Sequence, residues 1–355
     1  MSPAPRTRRP GAYLARAALA LTLGVSLAAT RNAADRPTGE ERQGTRVPGT
    51  PEPSAAALAH RLRDHVVALA GTTGRPWSDP AALRAAAAYV QSTWEAQGYR
   101  VERQEIPGLG DAYVNLLAFG GLGSWEGAPL VVAAHYDTVE GTPGADDNAS
   151  GVAVLLETSR LLTPARAAAG PVVFAALTLE EPPFFQTPRQ GAWVLARSLR
   201  RQGIDLAGAL VLEMVGYYRP GKGTQAYPFP LGLLGYPDRG DFVGLVANLR
   251  SRRLLAPLAG AIERAGLPVE TLPVPGRGRL LPAVRLSDHA AFWDLGYRAV
   301  MLTDTSFFRN PHYHGPGDTP ETLDYLSMAR LTQGLAEFLG SAGPTAGTDA
   351  RTGVR

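Results

Sequence analysis

Apolar and polar positions along this chain fall into two alternating rhythms. From Pro53-Ser54 onward, residues 54–70 repeat Ala, Leu and Val at helical spacing. Ser78-Asp79-Pro80 then offers a capping side chain and an early proline for a second helix, which Gly98 closes. Short β-rich runs follow at 100–106 and 112–118, and the run from Pro129 to Ala134 is almost uniformly apolar, as a strand covered on both faces should be. The pattern continues with a helix at 148–163, a strand at 171–179, a helix at 190–202 and a strand at 207–215. A helix near 252–265, a strand at 297–303 and a last helix over 319–340 complete it. Strand–helix alternation of this kind predicts an α/β fold with a central, mostly parallel mixed sheet flanked by helices. The Gly- and Pro-rich stretches 219–240 and 272–285 are expected as loops over one end of that sheet.

The domain so outlined runs from 54 to 342. With 45% hydrophobic residues in a chain of 355, there is enough apolar material for one large core. The absence of cysteine excludes disulfides, Cys-ligated zinc, iron–sulfur ligation and a Cys nucleophile, so any metal must sit on His and carboxylate. The excess of positive charge, 35 minus 32 or +3, is local. Arg6, Arg8, Arg9 and Arg16 lie in residues 1–28, which hold no acid, and the remainder is 31 minus 32, or −1. Composition therefore gives no sign of a basic face on the body, and nucleic acid is not an expected partner.

Those arginines precede an apolar run from Ala17 to Ala29, broken only by Thr22, Gly24 and Ser26. A positive segment followed by an apolar segment shorter than a spanning helix reads as a secretory signal over 1–28, with Ser26-Leu27-Ala28 offering small residues for cleavage. The alternative is an uncleaved N-terminal anchor. Residues 29–53 are expected as a flexible linker and 343–355 as a disordered tail. An exported protein follows: secreted, periplasmic or held in the cell envelope.

Chemistry-bearing residues stand where apolar strands end. Leu130 to Ala134 runs into His135-Tyr136-Asp137, Val172 to Leu179 into Glu180-Glu181, and Ala209 to Leu212 into Glu213. In an open α/β sheet the carboxyl ends of strands form the ligand crevice. Gly144-Ala145-Asp146-Asp147-Asn148-Ala149-Ser150-Gly151 joins the first of these strands to its helix, and Tyr313-His314 precedes Asp318-Thr319 before the last helix. Taken singly these have bland readings: strand-end solvation, acids favouring a helix dipole, histidines on a surface loop.

Taken in chain order, His-x-Asp, Gly-Ala-Asp-Asp-Asn-Ala-Ser-Gly, Glu-Glu, Glu-Met-Val-Gly and Tyr-His-x-x-x-Asp-Thr resemble the co-catalytic, di-zinc aminopeptidases, a family that also includes glutamate carboxypeptidase and glutaminyl cyclase. The resemblance spans roughly residues 55–340 and implies a single zinc-exopeptidase domain. Carried over residue by residue, it implies that His135, Asp146 and His314 hold one zinc, with Asp146 bridging to a second held by Glu181 and Glu213, so two zinc ions per chain. It implies Asp137 as the carboxylate orienting His135 and Glu180 as general base. The family more often has Asp where this chain has Glu213. The activity implied is an aminopeptidase releasing N-terminal residues from peptides by zinc-activated water. A glutaminyl cyclase or carboxypeptidase on the same scaffold is the alternative, as is an inactive binding module. His312, two residues before His314, fits the motif less well. Ser287-Asp288-His289 either borders the pocket or opens a helix with Ser287 as its cap. The Phe184-Phe185 pair is expected as packing at the rim.

Overall fold

A computed structural model describes residues 54–341, apart from 72, 121–124 and 126. The expected signal, linker and tail lie outside the described residues. Helix α1 (Ala55–Leu69) is capped by Ser54, whose hydroxyl accepts from Ala57 N at 3.2 Å. Helix α2 (Pro80–Ala96) begins on Pro80, and Asp79 accepts from Ala81 N and Ala82 N. Both caps answer N–H groups that the first turn leaves without a partner.

Among the described residues eight strands follow: β1 (Tyr99–Glu105), β2 (Val114–Gly120), β3 (Leu130–His135), β4 (Val172–Leu177), β5 (Gly208–Glu213), β6 (Val243–Asn248), β7 (Val269–Val274) and β8 (Ala299–Thr303). They form one mixed sheet in the order β1-β2-β4-β3-β5-β8-β6-β7. The centre, β4-β3-β5-β8, is parallel; β1-β2, β2-β4 and β8-β6 are antiparallel, and β6-β7 is parallel again. The connections carry α3 (Gly151–Leu162), α4 (Pro164–Ala169), α5 (Gly191–Arg201), α6 (Leu255–Arg264) and α7 (His289–Asp294), and α8 (Tyr325–Ser341) closes the domain.

Two expectations fail here. The stretch expected as a loop from 272 begins inside β7, while β6 stands in a segment that the pattern left unassigned. The last helix starts at Tyr325, because Pro320–Thr322 makes only a separate short turn.

Helices pack on both faces of the sheet. On one face Val132, Leu210, Leu245 and Leu302 meet α1, α2, α3, α6 and α8; on the other Val131, Val211, Val246 and Met301 meet α5 and α7. The neighbours Val131 and Val132 point to opposite layers, as pleating requires. Each such side chain contributes about 1.5–3 kcal/mol when fully buried, which fixes the register of the strands and so the height at which each strand ends. Among the described residues no helix is long and apolar enough to cross a membrane.

Candidate active site

The parallel strands deliver their last residues to one rim. His135 closes β3 and Glu213 closes β5. Past β4, Leu179 takes a φ of 59° and turns the chain into Glu180-Glu181; past β5, Met214 at 48° does the same, and His314 itself sits at 55°. Left-handed backbone in such residues costs roughly 1–3 kcal/mol each and persists only where the surroundings enforce it.

Hydrogen bonds supply that enforcement. The two carboxylate oxygens of Asp137 accept from Glu180 N and Glu181 N, each at 3.1 Å. Asp318 does the same for the 145–150 turn, accepting from Asp146 N at 2.8 Å and Asp147 N at 3.1 Å. Asn148 ties that turn to β5, donating to Leu212 O and accepting from Met214 N. Beneath it, buried Arg75 donates to the carbonyls of Leu69, Tyr136, Pro143 and Gly144.

Within this frame His135 Nε2 lies 3.4 Å from Asp147 Oδ1 and 3.4 Å from Glu213 Oε2. His314 Nε2 lies 3.2 Å from Asp147 Oδ2 and 3.2 Å from Glu181 Oε2. Two three-residue clusters result, His135–Asp147–Glu213 and Asp147–Glu181–His314, sharing Asp147. The residue common to both clusters is Asp147, whereas the resemblance put Asp146 there. Asp146 points the other way, accepting from Gly216 N at 2.9 Å and Asn310 Nδ2 at 2.7 Å. Asp147 leaves the helical conformation of the turn, with φ −104° and ψ 88°, and so its side chain parts from that of Asp146. The grouping also differs from expectation: His135 stands with Glu213, and His314 with Glu181.

The remaining candidates are placed as follows. His135 Nδ1 is 3.2 Å from the Asp137 carbonyl oxygen and 3.6 Å from its Oδ1, so the carbonyl is the nearer partner of the imidazole. Glu180 lines the same cavity as Glu181 and Glu213. His312 packs its ring on Tyr217, away from the clusters. Ser287 does not cap a helix through its side chain; its hydroxyl donates to Glu213 Oε2 at 2.7 Å. Asp288 accepts from Gln190 Nε2, and His289 Nε2 faces Val284 O. Phe184 stacks edge-on against Trp77 as rim packing, but Phe185 lines the cavity.

The donor set suits a divalent cation. His135 Nε2, Asp147 Oδ1, Glu181 Oε1 and His314 Nε2 are buried without a hydrogen-bond partner, an arrangement expensive for polar atoms unless something else satisfies them. The electrostatics agree. Burial, then the charge of Asp147, pushes Glu181 up to about 7. Burial would lower His314, yet Asp147 and Glu181 hold it up at about 10. Nitrogen and oxygen donors with no sulfur, leaving coordination room for water, fit zinc.

Residues 122–339 match the model of peptidase family M28. The chain belongs to that family. A relative in Escherichia coli (strain K12), the uncharacterized protein YfbL, is 38% identical over 72% of this chain and 80% of its own length. Leucine aminopeptidase 1 of Fusarium vanettenii is 25% identical over 59% of this chain, which spans only 52% of that enzyme. Among solved structures, the LapA aminopeptidase of Legionella pneumophila superposes with a TM-score of 0.60 at 19% identity, covering 86% of this chain and 78% of LapA. The glutaminyl cyclase of Bacteroides thetaiotaomicron superposes at 0.56 and 17%, over 83% and 100%. At these identities the superpositions show the M28 fold alone. They place a single α/β domain with an eight-stranded mixed sheet among zinc exopeptidases and cyclases.

Proposed function

We propose that this M28 peptidase is an exported zinc aminopeptidase that removes N-terminal residues from peptides. One observation carries the reading: the two oxygens of Asp147 each face a different histidine, so two clusters share one carboxylate. His135 and Glu213 would hold one ion, Glu181 and His314 the other, and Asp147 both. When bound, zinc supplies Lewis acidity toward a substrate carbonyl and toward water. Glu180 would take the proton from the attacking water and pass it to the leaving amine. Burial raises the Glu180 carboxyl above the usual range, a shift that His135 opposes and that Glu213 and Glu181 add to. Asp137 positions Glu180 and Glu181 through their backbones. Phe185, Leu231 and Phe308 line the cavity and limit water around the reacting bond.

The arginine-bearing N-terminus ahead of Ala17–Ala29 supports export, and N-terminal sequencing of envelope and secreted fractions tests it: a mature chain starting near Ala29 is expected, and an intact Met1 in the cytosol overturns it. The activity is tested on peptides with free, acetylated and glutamine N-termini, before and after chelation. Release of the first residue from free N-termini, lost on chelation and restored by zinc, is expected. Ring closure of N-terminal glutamine with no release of other residues would assign the cyclase reaction instead.

A further inference from the structure

The cavity does not stop at the carboxylate–histidine clusters. It runs across the sheet under β5, β8, β6 and β7, and strand register sets its floor. Glu213 is paired with Thr303, Thr303 with Gly244, and Gly244 with Glu270. All four line the cavity. Adjacent strands lie about 4.8 Å apart, so this row extends roughly 14 Å from the backbone of Glu213 to that of Glu270. The metal-binding candidates occupy one end of the row and Glu270 the other.

Gly244 opens the middle of the row. A Cβ there would meet nothing closer than Thr303 O at 3.4 Å, so neither a turn nor a tight backbone approach demands glycine. Its effect is to leave the floor bare. Around it stand Phe242, Val246, Leu272, Val284 and Met301, an apolar sleeve. At the far end, Tyr227 and Tyr236 donate their hydroxyls to Pro237 O and Thr271 O, which holds the 227–237 loop over the strands. Both phenols line the cavity with Glu270, and burial, then the charge of Glu270, raises them.

An apolar sleeve ending in a carboxylate matches a long side chain with an apolar stem and a cationic tip. A leucine side chain is too short to reach past Gly244. An acidic one would enter a cavity already carrying Glu180, Glu181, Glu213 and Glu270. Resting on the aminopeptidase reading, we propose that this cavity receives the side chain of the substrate's N-terminal residue and that Glu270 selects lysine or arginine there.

The test compares zinc-loaded wild type, Glu270→Gln, Glu270→Arg and Gly244→Val on the p-nitroanilides of lysine, arginine, leucine and glutamate, with zinc content and Tm recorded for each. Wild type is expected to favour lysine and arginine over leucine by about tenfold or more in kcat/KM, the scale of one hydrogen bond to a charged group. Glu270→Gln should reduce that ratio about tenfold. Glu270→Arg should reduce it further and raise relative turnover of glutamate. Gly244→Val, which blocks the floor midway, should cut lysine and arginine more than leucine. A wild-type ratio at or below one, or a ratio that none of the folded variants moves, overturns the selectivity while continued leucine release leaves the aminopeptidase reading standing. Failure of zinc-loaded wild type to release any of the four overturns both.

Discussion

The hydroxyl of Ser287 donates to Glu213 Oε2 at 2.7 Å, the same oxygen that lies 3.4 Å from His135 Nε2. A glutamate has one more rotatable bond than the aspartate commoner at this position, and Ser287 restrains it. Removing the restraint in Ser287→Ala should weaken zinc binding at the His135–Asp147–Glu213 cluster by roughly 10- to 100-fold, the usual effect of losing a partner of a metal ligand. Competition against a chelator of known affinity reads it directly. An unchanged affinity would mean that packing alone orients Glu213.

The two adjacent acids of the 145–150 turn should separate cleanly. Asp147→Asn should lose metal at both clusters, since each relies on that carboxylate. Asp146→Asn should retain zinc but lose about 1–3 kcal/mol of stability, because it disturbs the buried bonds to Gly216 N and Asn310 Nδ2. Metal content and chemical denaturation of both variants decide; the reverse pattern would restore the bridging role to Asp146.

Glu180 and Glu181 both donate their backbone N–H to Asp137, and the proposed mechanism gives them different tasks. Glu180→Gln should fold, keep its zinc and lose about two to four orders of magnitude in kcat, the range for general acid–base catalysis. Glu181→Gln should instead bind the second ion weakly, and part of its defect should yield to added zinc. Near-normal turnover by Glu180→Gln would remove it from the mechanism.

Far from the cavity, fully buried Glu157 receives Arg61, His65 and Arg160. Burial by itself would raise its pKa, but hydrogen bonds from His65, Arg160 and Arg61 bring it down to about 2. A carboxylate depressed on folding adds stability above its unfolded pKa of about 4.3, and that stability is lost as pH falls toward 2. On the order of 3 kcal/mol is at stake at neutral pH. Glu157→Gln should therefore lower stability at pH 7 and flatten the acid limb between about pH 4.5 and 2, as denaturant titrations across that window would show. A variant with the wild-type acid limb would assign acid sensitivity to other groups.

Much of this was legible before any coordinates. His135, Glu180, Glu181 and Glu213 announce themselves because a buried parallel strand is a run of apolar residues, and the first polar residue after it must lie at the rim. The choice between Asp146 and Asp147 was not legible, since adjacency says nothing about which way an irregular turn directs each side chain. Ser287 carries no signal of its own: a serine before an acid reads equally as a helix cap. Strand β6 follows directly on the Gly- and Pro-rich stretch 219–240, and Gly244 breaks its apolar run where those of β3 and β4 are unbroken. Strand β7 contains Pro273 and lies at the sheet edge, where a missing N–H is tolerated but the sequence resembles a loop. The row from Glu213 to Glu270 depends on that register and could not be drawn without it.

The position of β8 has a consequence for how the chain acquires its activity during synthesis. It is the last of the described strands in chain order, yet it lies inside the sheet, between β5 and β6. Until residues 299–303 emerge, β6 and β7 have no edge to join, and the floor of the cavity exists only as two separate pieces. His314 follows later still. Domains tend to assemble from the N-terminus as they are made, but here the non-local pairings wait for the final segment, the costliest kind to form by chain closure. A nascent chain therefore carries four of the five cluster residues, all but His314, on an open sheet before the cavity is complete. The cavity floor and then the second cluster are completed only as residues 299–314 arrive.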